Sequence, residues 1–291
     1  LGCLPLASEQ AGAYIEANGK TIAEYLKLYR AHERELLAHK PATDYPASVA
    51  TTWQISFDAI AQQSAASVAL LNLLAFFAPD AIPRELLQTK KVCETLQVSW
   101  DDDFEFDKAV QPLRRYSLVR AGNGLFDVHR LVQTMVRDRM DDATRKTFAE
   151  AALKCVNDAC PAYENSIMEV WGIYARLLEH ARATTNETER LSIAPNETAR
   201  LMNQVGLYLQ YRAELGEAKT LFERALAIDE ATFGKDHPNV ATDVNNLGLV
   251  LRDLGDLPRA KECFERAISI WETNLGADHP QVATGVNNLG S

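Results

Sequence analysis

Few residues in this 291-residue chain have types and spacing that could do chemistry, and they are scattered. His237 and His279 stand 42 residues apart, with no cysteine near enough to complete a metal site. His129 follows an apolar run and precedes a helical pattern. An imidazole can ligate a metal, move a proton or donate to an anion. It can also simply start a helix, and that reading is preferred for His237 and His279. Asp101-Asp102-Asp103 could draw a cation, but a solvated loop is the simpler account. Asn18-Gly19-Lys20-Thr21 carries only the tail of a phosphate-cradling loop. The full GxxxxGK[ST] pattern needs a glycine five places earlier and a strand before it, because backbone N–H groups must wrap the phosphates. Tyr14 occupies that place, so the segment reads as a turn between helices. No Ser–His–Asp set or carboxylate pair stands out, and neither a catalytic residue nor a metal ligand is assigned.

Bulk properties narrow the classes. The net charge is −10, and from Pro195 onward 9 Lys and Arg face 14 Asp and Glu, so no half offers the positive footprint that nucleic acid needs. The five cysteines (Cys3, Cys93, Cys155, Cys160 and Cys263) are odd in number and form no CxxC pair, which reads as reduced, mostly buried thiols in the cytoplasm. Asn186 and Asn196 head glycosylation sequons that, without a secretion signal, read as chance. The most apolar stretch, 68–78, is broken by Asn72 and is too short to span a bilayer.

What must position any site is a repeat. Phe222-Glu-Arg-Ala225 returns as Phe264-Glu-Arg-Ala267, Asp236-His-Pro238 as Asp278-His-Pro280, and Asn245-Asn-Leu-Gly248 as Asn287-Asn-Leu-Gly290, each 42 residues on. A fainter copy lies at Asn203 and Gly206. A fixed period of this size means stacked units, since one unit alone cannot bury its apolar face. Val240, Val244, Leu247 and Leu251 fall at helical spacing after Pro238, and a second helix is predicted over 258–274. Gly248 inside the first helix, with Gly206 and Gly290 at the same place, implies close approach by a neighbouring helix. Upstream, helices are predicted over 21–39, 53–61, 67–77, 83–89 and 106–116. A hairpin should follow around Gly122-Asn123-Gly124, then helices over 129–140 and 173–183.

The units resemble the tetratricopeptide repeat in its 42-residue, kinesin-light-chain form, through Leu247-Gly248…Leu251 and Ala260…Phe264…Ala267. Gly2-Cys3-Leu4-Pro5-Leu6 resembles the Gly-Leu-Pro-Leu motif of NB-ARC signalling ATPases. Val128-His129-Arg130 resembles their Met-His-Asp motif after a winged helix, and Trp171…Leu178-Glu179-His180 resembles their junction with the repeats. In this order the motifs resemble a STAND-type regulatory NTPase. The fold expected is mainly α: an NB-ARC helical segment over 1–45, a winged-helix domain with a small β-hairpin over 46–142, capping helices over 143–194, and a tetratricopeptide solenoid over 195–291. The start without Met and the stop inside a helical pattern are read as cut ends of a longer protein, with the phosphate loop upstream of Leu1. No cofactor is expected in this piece, and it is not expected to be an enzyme.

The resemblance implies ADP or ATP with magnesium in the parent, Pro5 lying against the adenine, and His129 on the β-phosphate of ADP. Arg130 departs from the acid of the motif. The resemblance also implies a resting state locked by the winged helix, oligomerisation on activation, and an upstream nucleotide-binding domain as partner. Within the repeats, Asn203, Asn245 and Asn287 form a row expected to face the concave groove, flanked by Thr242 and Thr284 with Arg252 further along. An amide can bond both to a peptide N–H and to its C=O, so this row is the expected site for a protein or peptide ligand, whereas Asn246 is assigned to packing. Two alternatives stay open: an adaptor without NTPase activity, and a DNA-binding regulator using Arg114, Arg115, Arg120, Arg137 and Arg139 around the winged helix.

Overall fold

The computed structural model describes residues 5–38, 47–100, 102–161 and 167–290. It holds two compact units, Leu1–Ala152 and Leu153–Ser291. Among the described residues there are fifteen helices and one three-stranded sheet, so the fold is mainly α as expected.

The first unit begins with α1 (Pro5–Ala17) and α2 (Ile22–Ala38). The turn between them is Asn18-Gly19-Lys20-Thr21, with Gly19 at φ +58°, a left-handed conformation that glycine adopts at little cost. Thr21 and Glu24 cap each other's amides, Thr21 Oγ1 accepting from Glu24 N–H at 3.2 Å and Glu24 Oε2 from Thr21 N–H at 2.7 Å. This is a capping box, so the lysine and threonine that mimic a phosphate loop serve a helix start. Next come α3 (Ala47–Gln63), α4 (Ala65–Leu74), β1 (Ile82–Pro83), α5 (Arg84–Leu87), α6 (Lys90–Leu96), α7 (Asp103–Arg115), β2 (Arg120–Gly122), β3 (Leu125–Asp127), α8 (Arg130–Asp138) and α9 (Asp142–Ala159). The boundary between the two units falls inside α9.

The hairpin closes through Asn123-Gly124, both at positive φ (+52° and +73°), as a two-residue turn between strands with right-handed twist requires. One strand was not expected. β1 pairs with β3, Ile82 opposite Phe126 and Pro83 opposite Leu125, giving the order β1-β3-β2. A two-residue edge strand ending in a proline leaves no alternation to read, and an edge is where the missing N–H is tolerated. The predicted helix over 83–89 is the short α5, and α6 follows it unforeseen. Trp53, Leu70, Leu73, Phe106, Leu113 and Tyr116 form the buried interior. Buried Gln133 on α8 donates to the carbonyls of Leu74 and Phe77, satisfying the end of α4.

The second unit stacks α10 (Ile167–Leu191), α11 (Pro195–Tyr211), α12 (Leu215–Phe233), α13 (Pro238–Asp253), α14 (Leu257–Leu275) and α15 (Pro280–Gly290). α11/α12 and α13/α14 are the two complete helix pairs, and α15 is the first helix of a third. The glycines do what their recurrence implied at two places. A Cβ on Gly206 would lie 2.6 Å from the Phe222 ring, and one on Gly248 2.7 Å from the Phe264 ring. At Gly290, the last described residue, no other described residue comes within 4 Å. α10 is far longer than the predicted 173–183 and packs on α11, with the Tyr174 and Tyr208 rings stacked at 5.4 Å. Along the solenoid, Arg182–Glu217, Arg224–Glu189 and Arg266–Glu230 each tie one helix to a helix of the neighbouring pair. Among the described residues no helix is long and apolar enough to cross a membrane.

Candidate functional site

Two places gather the residues singled out by sequence. The first surrounds the hairpin. β3 ends at Asp127, whose Oδ1 accepts from Ala81 N–H at 2.8 Å, and Val128 N–H donates to Pro79 O at 2.7 Å. These bonds bury Val128 and turn the chain so that His129 emerges exposed at the start of α8. His129 Nδ1 accepts from Leu131 N–H at 3.2 Å, so its ring proton sits on Nε2 and that N–H remains a donor toward solvent. A cavity of about 120 Å³ lies beside it, lined by Glu9, Asp80, Arg120 and Asp127 among others. α1 is held against the hairpin by Gln10, which donates to Ser117 O, and by Arg120 at 3.8 Å from Glu9. Pro5 is the first residue of α1, and its side chain lies outside the described residues.

His237 and His279 repeat the His129 geometry, accepting through Nδ1 from Asn239 N–H and Gln281 N–H at 3.2 and 3.3 Å. They start helices. Asp102 caps α7 by accepting from Glu105 N–H, and Asp103 pairs with Arg84 at 3.0 Å; Asp101 lies outside the described residues. Among the described residues no three His, Cys, Asp or Glu side chains gather as a metal would need. Cys93, Cys155 and Cys160 are buried, Cys263 is partly exposed, and Cys3 lies outside the described residues. Burial pushes the Cys160 thiol up to about 12, which makes it a poor nucleophile. Of the arginines around the hairpin and α8, Arg137 donates to Ala75 O, while Arg139 bonds Gln54 at 2.8 Å and lies over the Phe57 ring.

The second place is the repeat row, and here the structure corrects the sequence. Asn203 and Asn245 do not face a groove; they are 8 % and 6 % exposed. Asn203 Nδ2 donates to Ala199 O and to Asp243, and its Oδ1 accepts from Asn246 Nδ2 at 3.2 Å. One step on, Asn245 Oδ1 accepts from Asn288 Nδ2 at 2.9 Å. The row is a ladder of amides across the seams between units. The physical reason is satisfaction: a buried amide left bare costs more than a bond to a ligand returns. Asn246 packs, as expected. Asn287 is exposed on α15. Thr242 and Thr284 bond back to their own helices, at Pro238 O and Pro280 O, and partly exposed Arg252 lies 3.5 Å from Asp253.

Sequence reasoning missed the most perturbed group of the solenoid. Asp243 on α13 is 1 % exposed and Asp229 on α12 is 5 % exposed. Burial, then the neighbouring Asp229 charge, pushes the Asp243 carboxyl up to about 8; burial also raises Asp229. The signal was there to read. Asp229 continues the apolar stripe of Leu221, Phe222 and Ala225, and Asp243 sits between Val240 and Val244.

Comparison with known proteins agrees with the repeat. A tetratricopeptide repeat family matches residues 198–239 and 244–281. A domain of unknown function, DUF7779, matches 58–145, which spans α4 to α8 and the sheet. A nucleotide-binding leucine-rich repeat (NLR)-like protein of the fungus Hyaloscypha variabilis is 25 % identical over 252 residues, covering 81 % of this chain. The chain spans 24 % of that relative's length. Among solved structures, BtubC (BKLC) of P. vanneervenii aligns over 71 % of this chain and 81 % of its own, with 16 % identity and a TM-score of 0.37. The C-terminal unit is thus a tetratricopeptide solenoid, an architecture of protein–protein interaction, within a chain similar to an NLR-like protein.

Proposed function

We propose that this chain is the regulatory, ligand-sensing part of a STAND-type signalling NTPase. In this reading the segment from α3 to α8 is the winged helix that holds a nucleotide domain at rest, and the solenoid takes a protein or peptide ligand. The observation that carries it is the place of His129. Its Nδ1 is occupied by the α8 cap, so its Nε2–H is free to donate, at the edge of a cavity between α1 and the hairpin. The residues present fit a phosphate only in part. His129 is a donor of the right kind, while Glu9, Asp80 and Asp127 add carboxylates that a polyanion does not favour. ADP, when bound, supplies the charge that such a donor would weigh, and the phosphate-wrapping loop and magnesium belong to the nucleotide domain of a longer protein. His129 would hold the β-phosphate, and Pro5 is assigned to the adenine by resemblance alone.

Ligand recognition in the solenoid falls to Thr242, Arg252, Thr284 and Asn287, since Asn203 and Asn245 are engaged in the seams. A ligand shifts such a switch only if it binds the open arrangement better than the closed one. The adaptor reading lacks a role for the His129 cavity. The test is His129→Ala in the full-length protein, followed by release of a fluorescent ADP analogue. Faster release is expected, with a melting temperature lowered only by the loss of the α8 cap, and unchanged release would leave His129 as a helix cap only.

A further inference from the structure

The repeat gives a built-in comparison for each seam, and one seam differs from its successor. Between α12 and α13 the opposed residues are Asp229 and Asp243. One period on, between α14 and α15, the same places hold Trp271 and Gly285, and a Cβ on Gly285 would lie 2.7 Å from Ile268 and 3.3 Å from the Trp271 ring. That later seam is closed by an indole over a glycine, within an apolar cluster that includes Val240, Ile270 and Val282. The α12–α13 seam instead buries two carboxyls where its successor is apolar.

Their surroundings do not neutralise them. From α11 comes Asn203, a neutral amide that donates to Asp243. On α12 the next residue is Glu230, whose carboxylate is already paired at 2.6 Å with Arg266 of α14. At the head of α13, His237 caps that helix and stacks on Phe233 at 4.4 Å, and it favours the ionised form of Asp229 less than burial disfavours it. Among the described residues, Asp229 Oδ1 and Asp243 Oδ2 find no donor. Each carboxyl has the other as neighbour. Two buried carboxylates cannot both ionise at such a place, whereas a carboxylic acid bonded to a carboxylate can satisfy both.

We propose that Asp229 and Asp243 share one proton across the seam between the two complete helix pairs, and that this proton makes the seam a pH-set hinge. Holding the proton keeps α12 and α13 closed. Opening the seam hydrates both carboxyls and releases the proton to solvent. Opening is therefore favoured as pH rises, by up to tenfold per pH unit, from the ordinary carboxylate range up to the point at which the closed pair itself loses the proton. In a solenoid that presents a continuous binding face, a change at one seam alters the curvature of that face. The inference concerns the solenoid alone and stands whether or not the chain regulates an NTPase.

The decisive experiment is amide hydrogen exchange on the whole chain, wild type against Asp243→Asn, at half-unit steps from pH 5 to pH 8.5. The variant keeps an acceptor for Asn203 and a donor for Asp229 but carries no titrating proton. Taking the ratio of wild-type to variant rates at each pH cancels the intrinsic chemistry of exchange. The expected ratio for amides of α12 and α13 rises by at least tenfold from pH 5 to pH 8 and then levels, while amides of α3 to α8 stay flat. If Asp243→Asn fails to fold, Asp229→Asn serves the same comparison. A ratio that does not change with pH overturns the proposal. So does a rise shared equally by every amide, because that reports global stability and not a hinge.

Discussion

Asn203→Ala separates the seam from the groove more sharply than any other single change. The wild-type amide serves three partners, Ala199 O, Asp243 and Asn246. Truncation leaves Asn246 Nδ2 and an oxygen of Asp243 bare in places that are 7 % and 1 % exposed. Each orphaned buried group costs about 1–3 kcal/mol, against about 0.5 kcal/mol returned by the better helix propensity of alanine, so the net loss is about 2–5 kcal/mol. In a domain of this size that lowers the melting temperature by about 4–20 °C. Asn245→Ala should cost less, about 0.5–1.5 kcal/mol, because its partner Asn288 is only half-buried and can turn to water. Calorimetry of the two variants reads the order directly. A groove role predicts melting points within a degree of wild type and a loss confined to ligand binding. That outcome for Asn203→Ala would refute the ladder.

Other outcomes follow from the same geometry. Gly248→Ala places a methyl 2.7 Å from the buried Phe264 ring and should cost about 1–3 kcal/mol in urea unfolding. Solenoid stability should fall as pH rises. The folded Asp243 carboxyl is pushed up to about 8, so between the ordinary carboxylate range and that point the folded state holds a proton that the unfolded chain has released. The slope is at most about 1.4 kcal/mol per pH unit, and it disappears above about pH 8. Urea midpoints measured from pH 5 to pH 8.5 check both features, and Asp243→Asn should flatten the curve.

The solenoid was legible because its signals are redundant. Two copies agree at the Phe, Ala, Gly and His-Pro positions, and each agreement has a local cause. Proline opens the helix, histidine accepts from its first turn, and glycine admits the phenylalanine of the next helix. The hairpin was legible through Asn123-Gly124, whose positive φ values few other pairs accept. β1 was hidden because its two residues are chosen by their partner strand, with no local pattern of their own. α6 was hidden because Lys90–Leu96 is too short to show a helical face.

The seam residues fail for a different reason, and it bears on how repeats are read. A period shows which positions are equivalent but not which way each one faces. Asparagine suits a solvent-facing row and a buried amide ladder alike, because both need a donor and an acceptor on one side chain. The deciding fact is whether the neighbouring unit brings a matching amide. Asn246 and Asn288 do so, each 43 residues after its acceptor, one more than the period. That offset was printed in the sequence as the Asn-Asn doublets at 245–246 and 287–288: Asn245 serves as an acceptor for the following unit, and Asn246 and Asn288 reach back as donors to the preceding one. A doublet repeated in register is therefore better evidence for a seam than for a groove. The same logic exposes Asp229 and Asp243. An acid inside an apolar stripe is costly unless something holds it neutral, and its replacement by Trp271 and Gly285 one period later shows that the fold itself does not require it there.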